Sequence, residues 1–328
     1  MTGWHQHELE EVACDHCGAE HPRPVVQRLD GLVVCECPRC GLAFLNPRPT
    51  ADVVHRLYDA EYFHKASSDA VNSAHLIGYR SYHSAATRWL RNRIMQQRLD
   101  WLETLHSRPG RRLLEIGCAT GEFAREADRR GWQVTAIDLS AEAIALAQTE
   151  SAGIEYRVAT AEQLATEGLR FDAIVACELI EHVLSPKRLL QACYAMLQPG
   201  GVCLLSTPNY RCARRLGSRW IGYHMSFEHL YFFSDETLSR MGQAAGLEPI
   251  IWKTTGSGVM PDAIPTSRRF LKGLLQHLRC LDLARELRTW WQGWHQAETY
   301  EWWGSGHTLL MVFQRPVQQP SLMLARAA

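Results

Sequence analysis

Apolar residues between Arg111 and Gln314 fall in short runs separated by stretches of helical composition. Leu113, Leu114 and Ile116 form the first run. A turn of small residues from Gly117 to Gly121 follows, and then helical sequence from Glu122 to Arg130. The same beat predicts strands at Trp132–Asp138, Glu155–Val158, Phe171–Cys177, Val202–Thr207, Pro249–Thr254 and Thr308–Gln314. Helices are predicted at Ala141–Glu150 and Leu238–Gly246, with Ser234 as a helix cap, and Leu190–Leu197 closes another. Apolar runs alternating with helices specify an α/β fold with a doubly wound, mostly parallel seven-stranded sheet.

The flanking regions follow other patterns. Residues 1–50 carry a doubled cysteine motif and end in a strand broken at Pro47 and Pro49. Residues 51–108 read as a helical cap or linker. Ala51–Tyr62 is a short helix, and Ala70–His106 is a long one with apolar positions at Leu76, Tyr79, Tyr82, Trp89, Leu90, Ile94, Leu99 and Leu102. Packing is the favoured role for Tyr58, Tyr62, Tyr79 and Tyr82. The core is expected over 109–256 and 305–316. Between them, 257–304 reads as a helical, Trp-rich insertion acting as a lid. It has a basic amphipathic helix at Arg268–Leu287, then Trp290, Trp291, Trp294, Trp302 and Trp303. A disordered tail is expected over 317–328.

Strand, small-residue turn and helix together make a place where a ligand lies across a helix N-terminus. The next strand ends in Asp138, about 20 residues past Gly117, where an acid accepts hydrogen bonds from a ribose diol. The turn reads Glu115-x-Gly117-x-Ala119-x-Gly121. It resembles the first motif of class I S-adenosylmethionine-dependent methyltransferases, with Ala119 in place of the middle glycine. Phe171-Asp-Ala-Ile-Val, Leu197-Gln-Pro-Gly-Gly and Ser206-Thr-Pro-Asn209 stand where that family has its later motifs. The resemblance covers roughly Leu113 to Gln314 and implies a Rossmann-like methyltransferase core binding S-adenosyl-L-methionine. It places the donor against Glu115, Gly117, Cys118, Ala119, Gly121, Asp138, Leu139, Ala161, Glu162, Gln163 and Cys177, with Glu162 foremost for the adenine amino group.

Cys14-x-x-Cys17-Gly and Cys37-x-x-Cys40-Gly repeat one knuckle within 28 residues. Four thiolates so placed close a tetrahedron around a structural Zn²⁺. Cys35 is then a spare thiol and His16 an outside candidate ligand. A ribbon of this kind before a methyltransferase core also looks like bacterial methyltransferases of small-molecule and cell-surface glycan pathways.

Glu178, Glu181 and His182 follow the fourth strand of the core, spaced to share one helical face. With His229 they resemble the cluster of ubiquinone-pathway O-methyltransferases, and that of small-RNA 2′-O-methyltransferases, in which two Glu and two His hold a divalent ion. Three readings compete. His182 as general base ranks first, with the carboxylates setting its tautomer. A second divalent ion (Mg²⁺, Mn²⁺ or Zn²⁺) on Glu178, Glu181, His182 and His229 comes next. Acids complementing a helix dipole come last. The acceptor pocket is expected along Asn209–Phe227, with Tyr210, Arg211, Arg214, Arg215, Arg219, Trp220, Tyr223 and His224.

Composition narrows the partners. Of 328 residues, 35 are Lys or Arg and 35 Asp or Glu. No bulk positive field therefore collects nucleic acid or anionic lipid. The N-terminal stretch lacks the apolar core of a secretory signal, and no apolar run approaches a membrane span. Eleven Cys without an export signal point to a reducing, cytoplasmic setting. The expected activity is O-methylation of a hydroxyl on a small molecule, sugar or secondary metabolite. Rival readings are C- or N-methylation of such a molecule, RNA 2′-O-methylation and a non-catalytic zinc-ribbon adaptor. Nucleic acid is disfavoured as a partner, peripheral membrane contact is not favoured, and a homodimer is an open expectation.

Overall fold

A computed structural model of the chain describes residues 4–57, 85–151, 153–223, 228–255, 300–301 and 307–317. The strands are β1 Leu9–Glu10, β2 Arg23–Gln27, β3 Val33–Glu36, β4 Ala43–Leu45, β5 Arg48–Pro49, β6 Arg112–Ile116, β7 Gln133–Asp138, β8 Glu155–Val158, β9 Phe171–Cys177, β10 Leu197–Pro208, β11 Tyr231–Phe232, β12 Glu248–Thr255, β13 Tyr300–Glu301 and β14 Thr308–Gln314. The helices are α1 Ala51–Leu57, α2 Ala85–Leu105, α3 Glu122–Arg129, α4 Ala141–Glu150, α5 Ala161–Ala165, α6 Pro186–Met196, α7 Arg211–Leu216 and α8 Asp235–Ala244.

The large sheet has the order β13-β12-β14-β10-β9-β6-β7-β8. Strands β10, β9, β6, β7 and β8 run parallel, while β14 is antiparallel to β10 and to β12. This is the expected seven-stranded, mostly parallel sheet, widened at one edge by the two-residue β13. Strand β9 is buried along nearly its whole length because helices cover both faces. The chain order reverses at β6, between β7 and β9. A crevice therefore opens at the carboxyl ends of these strands.

Helix ends follow local chemistry. Ser140, Thr160, Ser185 and Ser234 each cap a helix, their hydroxyls accepting the amides of Ala143, Gln163, Arg188 and Thr237. Pro186 stands in the first turn of α6, where its missing N–H costs nothing. Glu178–Ser185 is a turn, not the helical face expected there.

Cysteine-bearing hairpins form a second sheet in the order β11-β4-β3-β2. Its fourth strand comes from the core, since Tyr231 pairs with Phe44 and Phe232 with Ala43. Among the described residues no helix is long and apolar enough to cross a membrane. The tyrosines at 58, 62, 79 and 82, most of the Trp-rich insertion and the residues after 317 lie outside the described residues. So do His224 and the side chain of Arg219.

Candidate active site

The donor turn is shaped by three left-handed residues, Gly117 (φ 76°), Ala119 (φ 45°) and Gly121 (φ 78°). A Cβ on Gly121 would stand 2.4 Å from the Tyr156 hydroxyl oxygen, so a side chain there meets both strain and a clash. The Gly117 and Cys118 amides donate to the Ile137 carbonyl at 2.8 and 3.0 Å, pinning the turn to β7. Asp138 is held by the same turn: its two carboxylate oxygens accept the Ala119 and Ser140 amides, each at 2.9 Å. Burial pushes the Asp138 pKa up, and the amides of Ser140, Ala119 and Leu139 oppose that rise.

Leu139 is exposed beside Asp138. Ala161, Glu162 and Gln163 form the first turn of α5. Ala161 is buried and Glu162 exposed. Gln163 turns back on its own helix, its Oε1 accepting the Thr160 amide at 2.8 Å. Glu115 is buried beneath the turn. Burial raises its pKa strongly while the Ala124 amide opposes the rise. Burial also raises the Cys177 thiol, with the Arg98 guanidinium acting against it.

Beyond β9 the chain turns sharply at Glu178 (φ 50°). The Glu178 carboxylate leaves the expected four-residue cluster: it accepts the Ser206 hydroxyl at 2.7 Å and Arg98 Nη2 at 3.2 Å. Arg98, on α2, is a site residue that the sequence reading missed. Only the three-dimensional path of α2 brings it to the end of β9.

Glu181, His182 and His229 do come together, with one ligand atom from each within 4.8 Å of the others. The His182 and His229 rings stand edge to face with centroids 4.7 Å apart. His182 Nε2 lies 3.8 Å from Glu181 Oε1. Glu181 is 1% exposed, and neither of its carboxylate oxygens has a hydrogen-bond partner among the described residues. Burial, then the Glu178 charge, raises its pKa well above the usual carboxylate range. Burial lowers the pKa of His182. Burial, then His182 and Arg28, pushes His229 well below an ordinary histidine. Two neutral imidazoles and an orphaned buried carboxyl make a donor set that fits a divalent ion with an open position.

In the pocket segment, Tyr210, Trp220 and Tyr223 are buried and stack edge-on with Phe232 behind the cluster. Arg211 instead pairs with Asp235 and Glu236.

The four knuckle sulfurs also converge. Cys14 and Cys40 Sγ lie 3.5 Å apart, as do those of Cys17 and Cys37. Tetrahedral zinc with Zn–S bonds of about 2.3 Å needs about 3.8 Å between sulfurs. Gly18 and Gly41, both left-handed, turn their amides back on Cys14 O and Cys37 O at 2.8 and 2.9 Å. For Cys37, burial raises the thiol, but the Cys40 and Arg39 amides and neighbouring thiols bring it to about 7. The donor set fits zinc, all four sulfurs lying within 4.8 Å of one another.

A family model described as a methyltransferase domain matches residues 86–251, half of the chain. The ubiquinone biosynthesis O-methyltransferase of Xanthomonas campestris pv. campestris (strain B100) is 40% identical over 117 residues, 34% of this chain and 49% of that protein. The protein of the same description from Bordetella avium (strain 197N) is 33% identical over 168 residues, 46% of this chain and 68% of that one. The chain thus spans about half the length of the first of these relatives. The crystal structure of magnesium protoporphyrin IX methyltransferase from Synechocystis PCC 6803 with bound SAH has a TM-score of 0.50 at 11% identity, covering 81% of this chain and 100% of that one. That likeness shows the fold alone.

Proposed function

Because this chain belongs to the S-adenosylmethionine-dependent methyltransferases, we propose that it methylates a hydroxyl oxygen of a small molecule, sugar or secondary metabolite. The relatives described as O-methyltransferases support oxygen as the target. The observation that carries the reading is the largely buried Glu181–His182–His229 group beside the end of β9, where burial lowers the pKa of both imidazoles. A sulfonium is an excellent leaving centre, so the enzyme's task is alignment of the nucleophile and removal of its proton.

In this proposal the donor lies across the Gly117–Gly121 turn. Asp138 takes the ribose diol, Leu139 flanks the adenine and Glu162 takes its amino group. Arg98 stands ready for the donor's carboxylate. The acceptor oxygen attacks the methyl carbon as the carbon–sulfur bond breaks, leaving S-adenosylhomocysteine. The hydroxyl proton passes to the neutral His182 imidazole. A second reading is favoured by the orphaned carboxyl of Glu181. Here Glu181, His182 and His229 would hold a divalent ion that would supply Lewis acidity to the acceptor oxygen, while Glu178 remains with Ser206 and Arg98. Cys14, Cys17, Cys37 and Cys40 hold a structural zinc in either case.

The test is incubation of the protein with methyl-labelled S-adenosylmethionine and a metabolite extract, read by mass spectrometry. A labelled methyl ether is the expected product. His182→Ala is expected to lower its formation by roughly 100-fold or more. Label on nitrogen or carbon, or undiminished turnover by His182→Ala, would overturn the reading.

A further inference from the structure

We infer that the cysteine ribbon clamps the acceptor half of the site and leaves the donor half independent, with Asp15, Arg28 and Arg48 as positioning residues. The inference rests on reading Glu181, His182 and His229 as the acceptor-side group. That group is drawn from two irregular segments, the turn after β9 and the stretch entering β11. Side chains on such segments keep catalytic geometry only when something outside holds the backbone.

The ribbon does this at three points. Asp15 lies between the knuckle cysteines Cys14 and Cys17. Its Oδ1 accepts the Ser185 hydroxyl and its Oδ2 the Lys187 amide, both at 2.8 Å. Ser185 is the cap of α6 and ends the turn that carries His182. Asp15 therefore completes that cap from a neighbouring sheet. Arg48 Nη1 donates to the Leu184 carbonyl at 2.7 Å and to the Tyr231 hydroxyl at 2.9 Å. Tyr231 in turn donates to Leu184 O at 3.1 Å, tying the two segments together. The buried Arg28, paired with Asp30, donates to the carbonyl of His229 itself at 2.9 Å.

Packing divides along this line only in part, because Ile116 and Ile137 beneath the donor turn belong to the ribbon's cluster. Leu42, Phe44 and Leu45 of the ribbon share one buried apolar cluster with Ile180, Leu230 and Phe232. Cys118, Phe123 and Ile144 beside the donor turn pack in another. The donor turn takes its hydrogen bonds from Ile137 and Asp138. Order imposed on the Cys14–Cys17 knuckle by its metal thus passes through Asp15 to the acceptor loop.

The experiment is amide hydrogen exchange on the zinc-loaded full chain, on the chain after zinc withdrawal by a chelator, and on Asp15→Ala, with S-adenosylhomocysteine affinity measured by calorimetry in parallel. Zinc withdrawal and Asp15→Ala are each expected to speed exchange across 180–187 by roughly tenfold, the scale of a lost helix cap. Exchange across 113–118 and 134–138, and the S-adenosylhomocysteine affinity, stay within about twofold. Asp15→Asn, which keeps one carbonyl acceptor, recovers part of the protection, a graded rescue that a general packing defect would not give. If Asp15→Ala does not fold, Ser185→Ala carries the same comparison. Equal loss of protection in both halves, no change in either, or a parallel fall in S-adenosylhomocysteine affinity would overturn the inference. A rigid loop indifferent to zinc leaves the role of His182 standing, and an active His182→Ala leaves the clamp standing.

Discussion

Asp138→Asn tests the donor site most sharply, because both oxygens of this carboxylate are already committed. One accepts the Ala119 amide and the other the Ser140 amide, each at 2.9 Å. An Asn side chain must turn its NH₂ toward one of these N–H groups, so a donor faces a donor. One hydrogen bond to a charged acceptor is lost, worth about 1.5–3 kcal/mol, and the remaining oxygen meets the ribose diol without its charge. If that loss falls on the bound state, S-adenosylhomocysteine binds roughly 10- to 150-fold more weakly. Isothermal calorimetry reads this directly. The pH dependence supplies a second check. Burial raises the Asp138 pKa above its ordinary value of 3.8, so wild-type affinity falls as the pH drops through that raised value and the acid takes up a proton. The sign for folding is opposite: a raised carboxyl pKa contributes stability that is present below 3.8 and lost as the pH rises through the native value. The Asn variant shows no such step in affinity. Affinity within about threefold of wild type, a change of only ~0.7 kcal/mol, would refute the reasoning.

Ala119→Gly relieves a non-glycine residue at φ 45°. It is expected to raise stability to denaturant by up to about 1 kcal/mol with donor affinity kept, and a fall would contradict the strain argument. Glu181→Gln is expected to lower turnover by roughly 100-fold. Glu178→Gln, altering a half-exposed partner of Arg98, is expected to change it less than about fivefold. Steady-state rates on the identified acceptor separate the two. Because burial lowers the pKa of His182, the acid limb of turnover falls below the ordinary histidine value of 6.5, and a limb at or above it would remove His182 as the base. Neutral His182 is favoured in the native state, so its stabilising contribution is complete above 6.5 and declines as the pH falls toward the native value.

Much of the fold was legible because its strands are continuous apolar runs bounded by glycine and acid. β7, α4, β8, β9 and β14 stand within a residue of the pattern's expectation. Parallel strands covered on both faces leave that signature wherever they occur. The doubled Cys-x-x-Cys-Gly was equally plain, since metal ligation dictates spacing. Long-range contacts were not legible. The spacing of Glu178, Glu181 and His182 fits a helical face, yet the chain turns at Glu178 because Ser206 and Arg98 hold its carboxylate. Gln163 stands beside Glu162, the adenine candidate, and a capping box that pattern does not announce draws its side chain back to Thr160. Arg98 and Asp15 act across gaps of 80 and 170 residues, and no local pattern announces such partners.

The central claim is that His182 takes the proton while a methyl group passes from sulfur to oxygen. The most direct measurement follows methyl-labelled S-adenosylmethionine into product with wild type and His182→Ala, locating the label by fragmentation. The account predicts an ether methyl whose formation falls steeply without the imidazole. A label bonded to carbon or nitrogen, or an ether formed equally fast by both proteins, would contradict it.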